Sequence, residues 1–226
     1  MNKVKYLGKE LLITERAANS MGSFSGKINS KGYAGLREGV KIKRFLQQCN
    51  PEKHTVVLDI GSNYGSYSYI TLFNNNIEVH AFEPNTEVVQ EFNTILTTNR
   101  IPNVSVHPMG LSNSIFNAEL SFPTFNVGMG KLSSIKKHKN RIQNCRFTTL
   151  DSFNLQQVDV VKIDVEGHEL EVLEGAKETF MRCKPKFLQI EINSGDVKNK
   201  VETIHNTYFP EYKVIRDGAD DWIFFL

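Results

Sequence analysis

Five short apolar runs alternate with segments of helical spacing, and this alternation restricts the chain to an α/β fold built on a mostly parallel sheet. The runs occupy residues 55–60, 78–83, 104–107, 158–163 and 187–192. Between them, apolar residues return every three or four positions: Ile42, Phe45, Leu46 and Cys49 within residues 36–49, and Val88, Phe92, Ile95 and Leu96 after the second run. Helices are also expected over residues 66–73, 165–181 and about 197–208. A period near 3.6 marks a helix with one apolar face, and near-continuous apolar strands mark a sheet covered on both sides. Strand–helix repetition requires crossover connections, hence a doubly wound sheet. The end of the chain departs from the pattern: residues 212–216 and 222–226 flank Asp217-Gly218, a hairpin turn signal. The expected architecture is therefore a mostly parallel sheet that finishes in a C-terminal antiparallel hairpin.

With 226 residues and 40% hydrophobic content, the chain can build one substantial core. A formal net charge of +2 with scattered basic residues gives no electrostatic case for nucleic acid. The local basic run Lys136-Lys137-His138-Lys139, with Arg141 and Arg146, falls in an expected loop and reads as a solvated loop or as a patch for an acidic substrate or partner. Asn19-Ser20-Met21-Gly22-Ser23-Phe24-Ser25-Gly26 reads as a second loop, a lid or a tail. Three widely spaced cysteines suggest neither a disulfide framework nor a zinc site and point to a reducing compartment. With no signal-peptide pattern and no apolar run of membrane length, a cytoplasmic protein without a membrane span is expected.

Carboxylates gather where strands end. The first run leads into Asp59-Ile60-Gly61-Ser62-Asn63-Tyr64-Gly65, a tight turn before a helix; the second ends on Glu83-Pro84-Asn85; the fourth ends on Asp164, followed by Glu166, Gly167, His168 and Glu169. Open α/β sheets bind ligands at the carboxyl ends of their strands. An acid buried there costs stability unless it has a partner or a task. Gly61 and Gly65 would let backbone approach a ligand. Their G-x-x-x-G spacing is not that of dinucleotide binders, and no P-loop is present. Glu83 beside this loop would accept ribose hydroxyls, or would only cap the next helix. Glu166, Glu169 and Glu171 would serve chemistry, or would only complement a helix N-terminus.

Together these runs resemble the FkbM family of S-adenosylmethionine-dependent O-methyltransferases. The match lies in Val57-Leu58-Asp59-Ile60-Gly61-Ser62-Asn63-Tyr64-Gly65, Ala81-Phe82-Glu83-Pro84-Asn85, Thr149-Leu150-Asp151-Ser152-Phe153, Lys162-Ile163-Asp164-Val165-Glu166-Gly167-His168-Glu169 and Ile190-Glu191-Ile192. The resemblance implies a class I methyltransferase (Rossmann-like) fold, doubly wound, with seven strands and the last antiparallel. The matching runs span about residues 55–193; the expected division is residues 51–226 as the methyltransferase domain and residues 1–50 as an N-terminal extension and helix covering the site. The resemblance sets Asp59, Gly61, Asn63 and Gly65 toward the methionine part of S-adenosylmethionine and Glu83 toward its ribose, with Ser62, Pro84 and Asp164 among the cofactor contacts. It also suggests that residues 128–133 close over the cofactor. His168 stands where the family often carries a smaller residue, which leaves its role open.

Methyl transfer to a hydroxyl needs alignment and removal of a proton. Asp164, Glu166 and His168 are the candidate catalytic residues, with Glu166 or His168 as the base. Asp164, Glu191 and Asn193 could place oxygens around Mg²⁺ or Mn²⁺. The implied function is O-methylation of a sugar hydroxyl in a surface, exopolysaccharide or viral glycan. Alternatives are a macrolide or other small-molecule acceptor, an NAD-dependent dehydrogenase, and a non-catalytic domain that binds S-adenosylmethionine or glycan. The chain would be a whole protein or part of a larger glycan-synthesis protein.

Overall fold

A computed structural model of the chain describes residues 1–20, 36–123, 131–132, 140–193 and 195–226. The expected alternation is present. The central sheet contains β3 (Thr55–Ile60), β4 (Ile77–Phe82), β5 (Val104–His107), β10 (Val160–Ile163), β11 (Phe187–Glu191), β12 (Lys213–Asp217) and β13 (Asp221–Phe225), in the order β12-β13-β11-β10-β3-β4-β5. Neighbours from β11 through β5 run parallel, whereas β13 is antiparallel to both β11 and β12. The chain leaves β3 toward one side of the sheet and β10 toward the other. Their adjoining carboxyl ends thus form the switch point where such sheets bind ligands.

Both faces are covered, as the apolar strands require. On one face Val57, Val79, Ala81 and Val160 pack against Ile42 and Phe45 of α2 (Leu36–Gln47) and Val88, Phe92 and Ile95 of α3 (Thr86–Asn99). On the other, Leu58, Ile60, Val161, Ile163 and Leu188 pack against α4 (Glu169–Glu174), α5 (Lys177–Cys183) and α6 (Val197–Tyr208).

Two of the expected helices differ. The segment after β3 is a 3₁₀ helix over Ser68–Leu72, because its tyrosines and β-branched residues are weak helix formers and nearly all are buried. The expected helix over residues 165–181 is two helices. It starts only at Glu169, since Glu166 and Gly167 take positive φ values of 55° and 106°. It breaks at Gly175, where a Cβ would lie 1.9 Å from the Ser112 carbonyl oxygen. Asp151 then starts α5 afresh by accepting from the backbone N–H groups of Glu178 and Thr179.

Two further sheets have no counterpart in the expected alternation. An N-terminal hairpin, β1 (Asn2–Tyr6) with β2 (Lys9–Ile13), packs on the face covered by α3. Asn99 of α3 holds it by bonding both the N–H and the C=O of Leu12. A short helix, α1 (Glu15–Ser20), follows. A four-stranded side sheet of order β6-β9-β7-β8 lies between β5 and β10 in the chain: β6 (Gly110–Leu111), β7 (Phe116–Pro123), β8 (Lys131–Leu132) and β9 (Asn140–Thr148). The basic run 136–139 and most of the expected loops 19–26 and 128–133 lie outside the described residues. Among the described residues no helix is long and apolar enough to cross a membrane.

Candidate active site

At the carboxyl end of β3 the chain turns sharply. The N–H groups of Gly61 and Ser62 both donate to the Phe82 carbonyl of β4, and Gly65 N–H returns to the Ser62 carbonyl. Gly61, Asn63 and Gly65 have φ values of 71°, 50° and 82°. The two glycines also have a packing reason. A Cβ on Gly61 would meet the Asp164 carbonyl oxygen at 1.8 Å, and one on Gly65 would meet the Phe92 ring at 2.1 Å. The glycines press the loop onto the tip of β10 and onto α3. Gly61→Ala is therefore expected to lower the unfolding free energy by roughly 2 kcal/mol or more, read by chemical denaturation, because backbone on both sides must move.

Glu83 closes this loop from the neighbouring strand. Its Oε2 accepts from Asn63 N–H at 3.0 Å and its Oε1 from Asn85 N–H at 2.8 Å. Asn85, not Glu83, caps α3, accepting from the N–H groups of Glu87 and Val88. Pro84 links the two. Burial pushes the Glu83 carboxyl up to about 7 against the pull of its two backbone donors and of Lys162. Beside it, Ser62 Oγ and Asn63 Oδ1 are buried with no hydrogen-bond partner among the described residues. Buried polar atoms are rarely left so.

Beneath the loop Asp59 is fully buried. Its Oδ2 accepts from Ser68 Oγ at 2.7 Å, and its Oδ1 faces the Lys162 ammonium at 3.6 Å. The same ammonium donates to the Gly61 carbonyl at 2.7 Å and lies 3.4 Å from Asp164 Oδ2. Burial raises the pKa of Asp59, opposed by Lys162 and Ser68. Lys162 was not among the expected site residues, although a lone lysine between Val161 and Ile163 in an apolar strand was a visible signal.

Asp164 follows β10 with a third of its side chain exposed. The turn after it is braced from within. Glu169, buried, accepts from Gly167 N–H at 2.7 Å and pairs with Lys200 of α6 at 2.9 Å. Glu169 is thus structural, as its place at a helix start suggested. Glu166 stands in this turn in the left-handed conformation, which a non-glycine residue adopts only at some cost. His168 Nε2 lies 2.9 Å from Ser112 Oγ, and its Nδ1 is 3.5 Å from Glu171 Oε2. Its ring meets Phe147 edge-on, so it fastens the side sheet to the turn.

Glu191 ends β11 beside these groups. Burial, then repulsion from Asp164 and Asp221, pushes its carboxyl up to about 7. Asn193 donates its Nδ2 to Glu191 Oε1 at 3.1 Å. Among the described residues no group of three or more His, Cys, Asp or Glu side chains is placed to hold a metal ion.

Comparison with known proteins bears on this arrangement. The family described as the methyltransferase FkbM domain matches residues 59–217. The chain is 32% identical over 158 residues to the hexuronic acid methyltransferase AglP of Haloferax volcanii, a stretch that covers 68% of this chain and 62% of that protein. The chain therefore spans less than two thirds of that relative. It is similar in structure to a methyltransferase FkbM from Methylobacillus flagellatus KT, with TM-score 0.55 and 20% identity over 77% of this chain and 44% of that one. It is also similar to a SAM-dependent O-methyltransferase from Thermotoga maritima, with TM-score 0.53 and 10% identity over 82% and 63% of the two chains. Likeness at these identities concerns the fold, which is the Rossmann-like fold of class I methyltransferases.

Proposed function

Because the chain belongs to the FkbM methyltransferase family, we propose that it transfers the methyl group of S-adenosylmethionine to an oxygen of a sugar. The observation that carries the cofactor assignment is the buried Glu83 carboxylate, which reaches across to the Asn63 N–H beside the unpartnered Ser62 Oγ and Asn63 Oδ1. A ribose offers two hydroxyl donors to the carboxylate, whose backbone bonds leave lone pairs free. The amino and carboxylate groups of a methionine moiety would satisfy the orphaned hydroxyl and amide oxygen. The residues present fit the cofactor.

When bound, the cofactor supplies an electrophilic methyl group on a sulfonium. The chain's own part is to hold the loop 61–65 rigid, exclude water from it and take a proton from the acceptor. In-line displacement depends on alignment, and the braced turn 164–169 provides a fixed wall for it. Asp164 and Glu166 are the carboxylates proposed for proton removal. His168 is proposed as a positioning residue rather than the base, since its Nε2 lies 2.9 Å from Ser112 Oγ and its ring packs edge-on against Phe147.

The residues at the tips of β10 and β11 do not fit Mg²⁺ or Mn²⁺ as they stand. Such ions take six oxygens, several from water, and need at least one or two carboxylate oxygens free to bind them; here Asn193 turns its Nδ2 toward Glu191 and Asp164 Oδ2 faces an ammonium. No step is assigned to a metal. Activity after exhaustive EDTA treatment is expected to stay within about two-fold of the untreated rate, a small effect beside the several kcal/mol a catalytic metal contributes. A collapse reversed by Mn²⁺ would restore the metal to the mechanism.

The sugar acceptor is supported by the hexuronic acid methyltransferase among the relatives. The test is label transfer from S-[methyl-³H]adenosylmethionine to a panel of neutral glycosides, uronic acids and a macrolide. Radioactivity in a sugar that survives mild alkali identifies a hydroxyl oxygen. Release as methanol identifies a carboxylate oxygen of a uronic acid. Labelling of the macrolide alone would overturn the sugar assignment.

A further inference from the structure

Lys162 is an expensive residue for its position. Its strand neighbours Val160, Val161 and Ile163 are apolar and buried, and its own side chain is 8% exposed. A methionine would occupy the same volume without the desolvation of an ammonium, and buried ion pairs often give no net stability over an apolar replacement. What the ammonium does instead is make three directed contacts at the switch point. It donates to the Gly61 carbonyl at 2.7 Å, lies 3.4 Å from Asp164 Oδ2 and 3.6 Å from Asp59 Oδ1. The sheet register explains why one residue reaches all three: Lys162 stands beside Asp59 of β3 and beside Gln189 of β11.

We propose that Lys162 is a positioning residue of the transfer reaction, tying the cofactor loop at Gly61 to the carboxylate of Asp164 through one ammonium and so setting the methyl donor against the acid beside the acceptor. This inference rests on the methyltransferase reading above. The groups that face Lys162 come from every surrounding element. Among the described residues they include Asp59 from β3, Asp164 from the end of β10, and the Tyr67 ring 5.6 Å from the ammonium. Tyr67 in turn accepts from Gln189 Nε2, which also donates to Asp221. Glu83 and Glu191, at the tips of β4 and β11, both feel its charge, which works against the burial that raises their pKa values.

The test is isothermal titration with S-adenosylmethionine from pH 5.5 to 9, with kcat measured over the same range, for wild type, Lys162→Met and Lys162→Arg. In Lys162→Met the cofactor is expected to bind about ten-fold more weakly at pH 7, and the midpoint of its pH dependence is expected to move up by about one unit or more, the usual effect of removing a nearby opposite charge. In Lys162→Arg the midpoint should stay while kcat falls, because a planar guanidinium keeps the charge but not the three contacts. A merely structural lysine would lower the melting temperature of Lys162→Met and leave its affinity and midpoint at wild-type values, and that result overturns the proposal. Should Lys162→Met fail to fold, Lys162→Gln keeps a donor for the Gly61 carbonyl while removing the charge, and the same two readouts apply. Absence of binding by the wild type would instead strike the methyltransferase reading, independently of Lys162.

Discussion

Replacing Glu83 by glutamine should weaken S-adenosylmethionine binding at pH 8 by at least about a hundred-fold, roughly 2.7 kcal/mol, and should erase the pH dependence of what remains. Both oxygens of Glu83 accept backbone N–H groups, one from the loop 61–65 at Asn63 and one from Asn85. A glutamine must turn its NH₂ toward one of these donors, which loosens the loop as well as removing the charge that the ribose hydroxyls would meet. Hydrogen bonds to a charged group are worth about 1.5–3 kcal/mol each, so the loss of one such bond and the weakening of a second account for the magnitude. The sign of the pH effect follows from the carboxyl, pushed up to about 7 by burial. Two hydroxyl donors require the ionised form. Affinity in the wild type should therefore rise as the pH climbs through 7, about ten-fold between pH 6 and pH 8, and then level off, as one linked proton demands. Glu191 titrates in the same range, and the Glu83→Gln variant separates the two. Titration calorimetry of both proteins at four pH values checks the claim. Equal affinities would remove Glu83 from the cofactor site.

The parts of this site that could be read from the sequence are those in which a single strand carries its own signal. Apolar runs ending in Asp59, Glu83, Asp164 and Glu191 place acids at strand ends, and alternation with helices places those ends together. β5 and the C-terminal hairpin fall within a residue or so of their expected limits for the same reason. What escaped depends on partners distant in the chain. Gly175, where the helix breaks, packs closely against the backbone of Ser112. Lys162 acquires its meaning from the register that sets it beside Asp59. The glycines of the loop 61–65 are also close approaches to other elements, which the sequence alone did not show. The N-terminal hairpin hid behind its turn, where Leu7 at φ 46° precedes Gly8 at 93°. That two-residue geometry usually announces itself with Asn-Gly. The side sheet did carry a legible sign, since Phe116, Ala118, Leu120 and Phe122 alternate along β7 and pack with Cys145 and Phe147 of β9.

Asp164→Asn should lower kcat by about a thousand-fold, within the range associated with general bases, while the Kd for S-adenosylmethionine shifts by less than about ten-fold. The carboxylate is partly exposed at the tip of β10, and its Oδ2 is fixed against Lys162. That leaves Oδ1 as the oxygen available to an acceptor hydroxyl. Asparagine has nearly the same shape but cannot take a proton, so a structural role would leave kcat nearly intact. His168→Gln provides the contrast. Its nitrogens face Ser112, just after β6, and Glu171 of α4, so its loss should reduce the melting temperature by a few degrees, the effect of about 1 kcal/mol, and leave kcat within about ten-fold. Glu166→Gln lies between these cases, because its left-handed backbone is set by the turn and survives the change. If Glu166→Gln rather than Asp164→Asn shows the thousand-fold loss, the base moves two residues along the turn. If His168→Gln does, the contacts to Ser112 and Glu171 orient a base instead of locking a strut.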